Sequence, residues 1–226
     1  MTNHSPTMQL VMRGIVLLWA LASPASHAGN LDPLAPNEMA RAASQATLSA
    51  TPTTTSTRRQ ASTTSTAPAN EVLLIERHIN NKGNTERLAD VYTYDYHTNQ
   101  TIITVVNLDT NTTLAKHYQQ NVQLPLTDKE LKRAAELIFN DDEQRPLLNA
   151  EFKRITGKTL SDPKQLHVKA FVFHASSLPE QLNAASQECG VQRCAQVLLY
   201  TVDSVVFEVS PIVNLSANVV TQNIGF

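Results

Sequence analysis

The sequence predicts an α+β protein of two tandem units, each a short helix followed by an antiparallel β-meander. Three observations carry this. The stretch Pro33-Leu34-Ala35-Pro36-Asn37-Glu38-Met39-Ala40-Arg41-Ala42-Ala43 returns as Pro125-Leu126-Thr127-Asp128-Lys129-Glu130-Leu131-Lys132-Arg133-Ala134-Ala135, every position 92 further on (33 to 125). A second echo, Val106-Asn107-Leu108-Asp109-Thr110-Asn111 and Val213-Asn214-Leu215-Ser216-Ala217-Asn218, has an offset of 107 (106 to 213). Between the echoes lie short β-branched, alternating runs, so helix and meander repeat as a unit.

Residues 1–28 are expected to be an export signal. Arg13 gives a positive start, and Gly14–Ala22 is apolar but too short to span a bilayer. Ser26-His27-Ala28 offers small residues at the cleavage positions, which places cleavage after Ala28. The expected destination is periplasmic or secreted. The only tryptophan, Trp19, lies in that signal, so the mature chain lacks one.

The first unit is expected over residues 29–118. Pro36 sits in the first turn of a helix, roughly 36–47, with Glu38 near its positive end. Met39, Ala42, Ala43 and Ala46 form its apolar stripe. Residues 51–69 are dominated by Ser, Thr and Pro around Arg58-Arg59 and read as a disordered insert. Strands follow at Val72–His78, Asp90–Tyr96 and Thr101–Leu108, with a short one near Thr113–Tyr118. Alternation puts Tyr92, Tyr94 and Tyr96 on one face. These tyrosines are the candidate partner surface, weighed against a packed cross-strand ladder. The charged groups Glu76-Arg77-His78 and Glu86–Asp90 read as cross-strand pairs on the solvent face.

The second unit, 119–226, opens with a stronger helix. Thr127 and Glu130 form a capping box, and Leu131, Ala134, Ala135 and Ile138 repeat the first stripe in phase. Another helix is expected at Pro146–Ile155, stopped by Gly157. His167–His174 is apolar on both faces over its second half and reads as a central strand. A short helix at Pro179–Gln187 follows, then a hairpin of Ala195–Val202 and Val205–Val209 turning at Asp203-Ser204. Pro211 is expected to break the ladder before Ile212–Leu215 and Val219–Thr221.

Bulk composition excludes several classes. The 226 residues carry a net charge of −2; without residues 1–28, 17 basic and 20 acidic residues leave −3. No basic excess exists for nucleic acid or anionic lipid, and no later segment is apolar enough to span a membrane. The two cysteines, Cys189 and Cys194, point to one small-loop disulfide in an exported chain, with redox activity and metal binding as the alternatives. The histidines outside the signal (His78, His97, His117, His167 and His174) show no ligand spacing. A nucleophilic pair of Cys189 and His174 would need a free thiol.

The chain resembles the small N-terminal domains of copper-containing amine oxidases. Carrying the resemblance are Leu31-Asp32-Pro33-Leu34-Ala35-Pro36-Asn37-Glu38-Met39, Ala89-Asp90-Val91 and Val105-Val106-Asn107-Leu108. It covers 29–118 apart from the insert, and reaches 119–226 through the internal echo. It implies two cystatin-like α+β modules. The family's chemistry requires an Asn-Tyr-(Asp/Glu) motif for topaquinone and a His-x-His copper motif. This chain has neither; Thr93-Tyr94-Asp95 comes nearest, with the wrong preceding residue. The catalytic domain is therefore expected to be absent, and no catalytic residue, cofactor or metal is expected. The expected function is an exported non-catalytic interaction protein with an unknown protein or small-molecule partner. The alternatives are an accessory to a separately encoded amine-oxidase-like enzyme and a thiol-dependent enzyme.

Overall fold

The computed structural model describes residues 32–48, 68–79, 85–178 and 180–225. The expected signal and its cleavage point at Ala28, residues 51–67 of the insert and the turn at 80–84 lie outside these. The described residues form two four-stranded antiparallel sheets and three α-helices, an α+β mixture.

The first sheet runs in sequence order: β1 (Asn70–Arg77), β2 (Leu88–Asp95), β3 (Gln100–Asn107) and β4 (Thr112–Gln120). One face packs on α1 (Pro36–Leu48). Ala42 and Ala46 of the helix meet Ala89, Val91, Val106 and Leu108, all buried. Small alanines let the helix approach the sheet closely, so a narrow stripe suffices to close this core. Asn99 and Asn111 adopt φ of 52° and 54° at the two sharp turns, a conformation asparagine tolerates better than most residues.

The second sheet follows the same plan, with β5 (Leu166–Val172), β6 (Cys194–Thr201), β7 (Val209–Asn214) and β8 (Val219–Gly225). Against it lie α2 (Asp128–Asn140) and α3 (Gln144–Thr156). Both bonds of the α2 capping box are present: Glu130 N donates to Thr127 Oγ1 at 3.2 Å, and Thr127 N donates to Glu130 Oε2 at 2.9 Å. Gly157 ends α3 in the left-handed conformation, φ 71°, and donates its N–H back to the Lys153 carbonyl. Ala134, Ile138, Leu148 and Phe152 then bury against Val197, Leu199, Phe207, Val213 and Leu215.

Four expected features differ. His167–His174 was expected to be a central strand, but β5 is at the sheet edge, with outward Phe171 57% exposed; its apolar content alone did not require burial on both faces. The Pro179–Gln187 helix does not form over its described residues, where only a 3-10 turn at Ser186–Glu188 appears. Asn183 is the reason. Its side-chain oxygen accepts from Ser186 N, while its own N and Nδ2 donate to Gln222 and Thr221 of β8. Such side-chain bonds compete with helix formation. The turn at Asp203-Ser204 forms, but the return pairs with β6 only at the Tyr200–Val206 bridge, through Thr201 N to Val205 O and Phe207 N to Leu199 O. Pro211 sits within β7. The β6–β7 ladder stops at Ile212 beside it, whereas the β8 ladder continues past it to Val209. Proline lacks an N–H, so it ends one ladder and spares the other.

An arginine–glutamate clamp occurs at the start of α1 and at the start of α2. Arg87 donates from Nε and Nη2 to Glu38, at 3.0 and 2.9 Å, and from its Nη atoms to the Asp32 and Pro33 carbonyls at 2.6 and 2.9 Å. Arg193 donates from Nε and Nη2 to Glu130, and from its Nη atoms to the Leu124 and Pro125 carbonyls at 2.9 and 3.0 Å. Glutamates and carbonyls keep the 92-residue offset (32, 33 and 38 to 124, 125 and 130), while the arginines are 106 apart (87 to 193). Arg87 is expected on the solvent face; it is buried because its guanidinium, with five N–H donors, satisfies four acceptors there at once.

Candidate functional site

The sheet face opposite α1 is organised by register into rows. Glu76, Asp90, Val105 and Ala115 form one row; Leu74, Tyr92, Ile103 and His117 the next; Glu71, Tyr94, Thr101 and Gln119 the third. The predicted stripe of Tyr92, Tyr94 and Tyr96 runs across these rows, and its residues have different fates.

Tyr94 and Tyr96 are not an open surface. They are 1% and 6% exposed, stacked edge-to-face at 4.9 Å, and belong to the same core as Ala134, Ile138 and Leu215. The second sheet with its helices covers them, a tertiary contact that strand periodicity does not encode. Tyr96 donates its hydroxyl to Glu130 at 2.8 Å and receives Arg133 Nη2 at 2.6 Å. Arg133 also pairs with Glu71 at 3.1 Å, and Thr127 Oγ1 donates to Glu71 at 2.7 Å. Burial pushes both phenols above their ordinary 10.0, and for Tyr96 the Glu130 charge adds to it. For Glu130 burial works upward, yet the Arg193 hydrogen bonds and charge win and hold the carboxyl below its ordinary 4.5. This polar network joins the two halves of the molecule.

The disulfide loop completes the join. Cys189 and Cys194 are bonded, with Cα atoms 5.4 Å apart, as expected from their spacing. Both are buried, so the cysteines supply no thiol for nucleophilic, redox or metal chemistry in this state. The Gly190 carbonyl accepts from Gln123 Nε2 at 3.1 Å, and the Val191 carbonyl from Tyr94 at 3.4 Å. Arg193, inside the same loop, is fully buried.

What stays open is the middle row and its charged neighbours. Leu74 is 38% exposed, His117 is exposed, and Tyr92 and Ile103 are half-buried. Tyr92 donates to Glu76 at 2.7 Å, and burial with that bond pushes its phenol up to about 12. His78 Nδ1 lies 2.8 and 2.9 Å from the two oxygens of Asp90. Glu76 and Asp90 face each other across β1 and β2, and each has its own partner, which offsets their repulsion. His97 lies in an exposed turn, His167 stacks on Tyr200 at 5.2 Å, and His174 Nδ1 lies 3.2 Å from where a side chain on Gly190 would begin. Among the described residues no group of three or more His, Cys, Asp or Glu is placed to hold a metal ion.

Sequence reasoning missed Arg87 and Arg193 as anchors. A signal existed: Arg87 and Arg193 each stand 21 or 22 residues before the leucine of the second echo, Leu108 and Leu215. Both carbonyls accept from those leucine amides at 2.8 Å.

No family model matches the sequence, and no curated protein matches it. Among solved structures, a copper-containing benzylamine oxidase from Hansenula polymorpha aligns over 88% of this chain, with a TM-score of 0.53 and 14% identity. The alignment occupies 30% of the oxidase chain. At that identity the likeness concerns fold alone, and the protein has the fold of part of a copper amine oxidase.

Proposed function

We propose that the chain is an exported, non-catalytic interaction protein of two tandem cystatin-like units, resembling the N-terminal domains of copper amine oxidases. Its contact surface is the open row Leu74–Tyr92–Ile103–His117, bordered by Glu76, Asp90 and His78. The observation that carries this reading is the division of one sheet face. Its Tyr94 and Tyr96 end is sealed by the second half of the molecule, while the adjacent row keeps apolar and aromatic groups at the surface. A tyrosine there offers contact area with a polar tip, the chemistry enriched at protein interfaces. The test is affinity capture from the native periplasm, comparing wild type with Tyr92→Ala and an Ile103→Asp variant of unchanged melting temperature. Specific partners should be lost from both variants. Equal recovery sinks the surface.

The benzylamine oxidase likeness favours one kind of partner, a separately encoded amine-oxidase-like catalytic chain. Mixing the two chains should give a 1:1 species by sedimentation. Failure to associate at concentrations of about 10 μM, where even a micromolar complex would largely form, removes this version.

A further inference from the structure

Each sheet has two edge strands, and an edge offers unpaired backbone groups to any chain that can add a strand. Three of these edges are blunted. β1, β4 and β8 each carry one extra residue against an unbroken partner, at Leu73, Leu114 and Thr221, the irregularity that spoils an edge as a template. At β8 the Thr221 carbonyl also accepts from Asn183 Nδ2 at 2.7 Å. β5 is different, because it pairs with β6 from Leu166 to Val172 without a shift. In the same register, Phe173 N donates to the Cys194 carbonyl at 3.0 Å. Bonded pairs alternate along an antiparallel ladder, so His167, Lys169 and Phe171 bond to β6. Val168, Ala170 and Val172 therefore turn their N–H and C=O groups outward. Among the described residues no side chain or loop takes those groups.

A lysine in the middle of an edge strand commonly guards it by charge. Lys169 does not project across this edge: its Nζ lies 5.8 Å from the Tyr200 ring centroid, drawn back over β6. Beside it Phe171 is 57% exposed. The strand complements itself in one antiparallel register. A two-fold axis at Lys169 would oppose two like charges, and an axis at Val168 would oppose the basic His167 and Lys169. Axes nearer either end leave shorter overlaps. An axis at Ala170 sets Ala170 against Ala170, Val168 against Val172 and Lys169 against Phe171. The first two pairings join the residues whose backbone groups point outward, so these exchange the hydrogen bonds. Lys169 and Phe171 then form the closely spaced unbonded pair, a cation against an aromatic ring. The same contacts serve both copies, as an isologous interface requires. We propose that two copies of this chain associate edge to edge through β5, antiparallel about Ala170, joining their second sheets into one.

Sedimentation equilibrium of the intact chain, from about 1 to about 300 μM, tests this. A reversible monomer–dimer equilibrium is expected, with about half or more of the chain dimeric at roughly 100 μM. Phe171→Lys opposes a lysine to Lys169 of the second copy and should weaken the dimer by about tenfold or more. Phe171→Glu puts a carboxylate there and should keep the affinity within about threefold of wild type. A contact that was only apolar would lose affinity in both. Ala170→Pro removes an outward N–H without touching the β6 ladder and should abolish association. Phe171 is exposed, so its two variants should melt as wild type and keep the test decisive if the proline variant misfolds. Tyr92→Ala should dimerise as wild type, which separates this edge from the proposed contact surface on the first sheet. A monomer at every concentration overturns the proposal. Equal weakening by Phe171→Lys and Phe171→Glu overturns it as well, and so does a dimer indifferent to Phe171→Lys and Ala170→Pro.

Discussion

Replacing Arg193 by methionine tests the join between the two halves. The side chain is fully buried, and its guanidinium satisfies the Glu130 carboxylate, the Gln123 side chain and the Leu124 and Pro125 carbonyls. Methionine fills most of the same volume, so little cavity opens, but a carboxylate with 0% exposure is left without its cation. Breaking one partner of such a pair costs about 3–5 kcal/mol, against roughly 5–15 kcal/mol for a whole domain. Urea unfolding followed by far-UV circular dichroism measures it, because residues 29–226 contain no tryptophan. The midpoint should fall by about a fifth or more of its value, with the slope unchanged. The double variant Arg193→Met with Glu130→Met removes both charges and should recover at least half the loss. Arg87→Met should cost less, since Glu38 keeps 12% of its side chain exposed to water. Lys132→Met breaks an exposed 4.0 Å pair and should leave the midpoint in place. A cost below about 1 kcal/mol for Arg193→Met would refute the argument, as it would mean water reaches Glu130.

Four further outcomes follow from local physics. Glu130 and Glu38 both have folded carboxyls below their ordinary 4.5, so their contribution is fully present above that value and is lost as pH falls through the folded values. Thermal melts from about pH 5 to pH 3 should fall more steeply for wild type than for Glu130→Gln, and parallel slopes would contradict this. Tyr92, raised from 10.0 to about 12, should ionise last among accessible phenols in an alkaline ultraviolet titration, and Glu76→Gln should lower its midpoint. The stability linked to Tyr92 is present below its unfolded value and is lost as pH rises through about 12. Cys189→Ser should destabilise by about 2 kcal/mol, the chain-entropy value for so short a loop, read as a urea midpoint shift against the oxidised protein. Gly157→Ala should cost about 1 kcal/mol in the same assay, because φ of 71° strains a Cβ although the surrounding space is open.

The helices and most strands were legible because their signals are local. The α2 capping box needs only Thr127 and Glu130 at the right spacing, and Gly157 stops α3 by its own conformational freedom. The β2–β3 hairpin needs only alternation and an Asn-containing turn. The disulfide followed from two cysteines five positions apart. The candidate surface failed where the deciding contact was tertiary. Tyr92 and Tyr94 have the same phase and the same residue type, and only the docking of the second half against Tyr94 and Tyr96 separates open from buried. Phe171 shows the reverse error, because an apolar run alone does not distinguish a central strand from an edge.

The same distinction explains the sequence echo. Pro33 and Pro125 lie in extended lead-ins whose carbonyls have no strand to pair with; Arg87 and Arg193 take those carbonyls. Both glutamates turn back to a lead-in amide, Ala35 N at 2.8 Å and Thr127 N at 2.9 Å, while holding the arginine from the other side. An extended lead-in, a glutamate at the helix start and a distant arginine are therefore one device, and only its first two parts are close enough in sequence to be read as a motif. The Leu108 and Leu215 amides bind the arginine carbonyls, so the second echo fixes the backbone that carries each guanidinium. The two echoes, distant in sequence, meet at one charge pair in each half, Glu38–Arg87 and Glu130–Arg193. Their retention of type at Glu38, Glu130 and the paired leucines follows from that geometry, since neither partner of the pair can be lost alone without stranding the other.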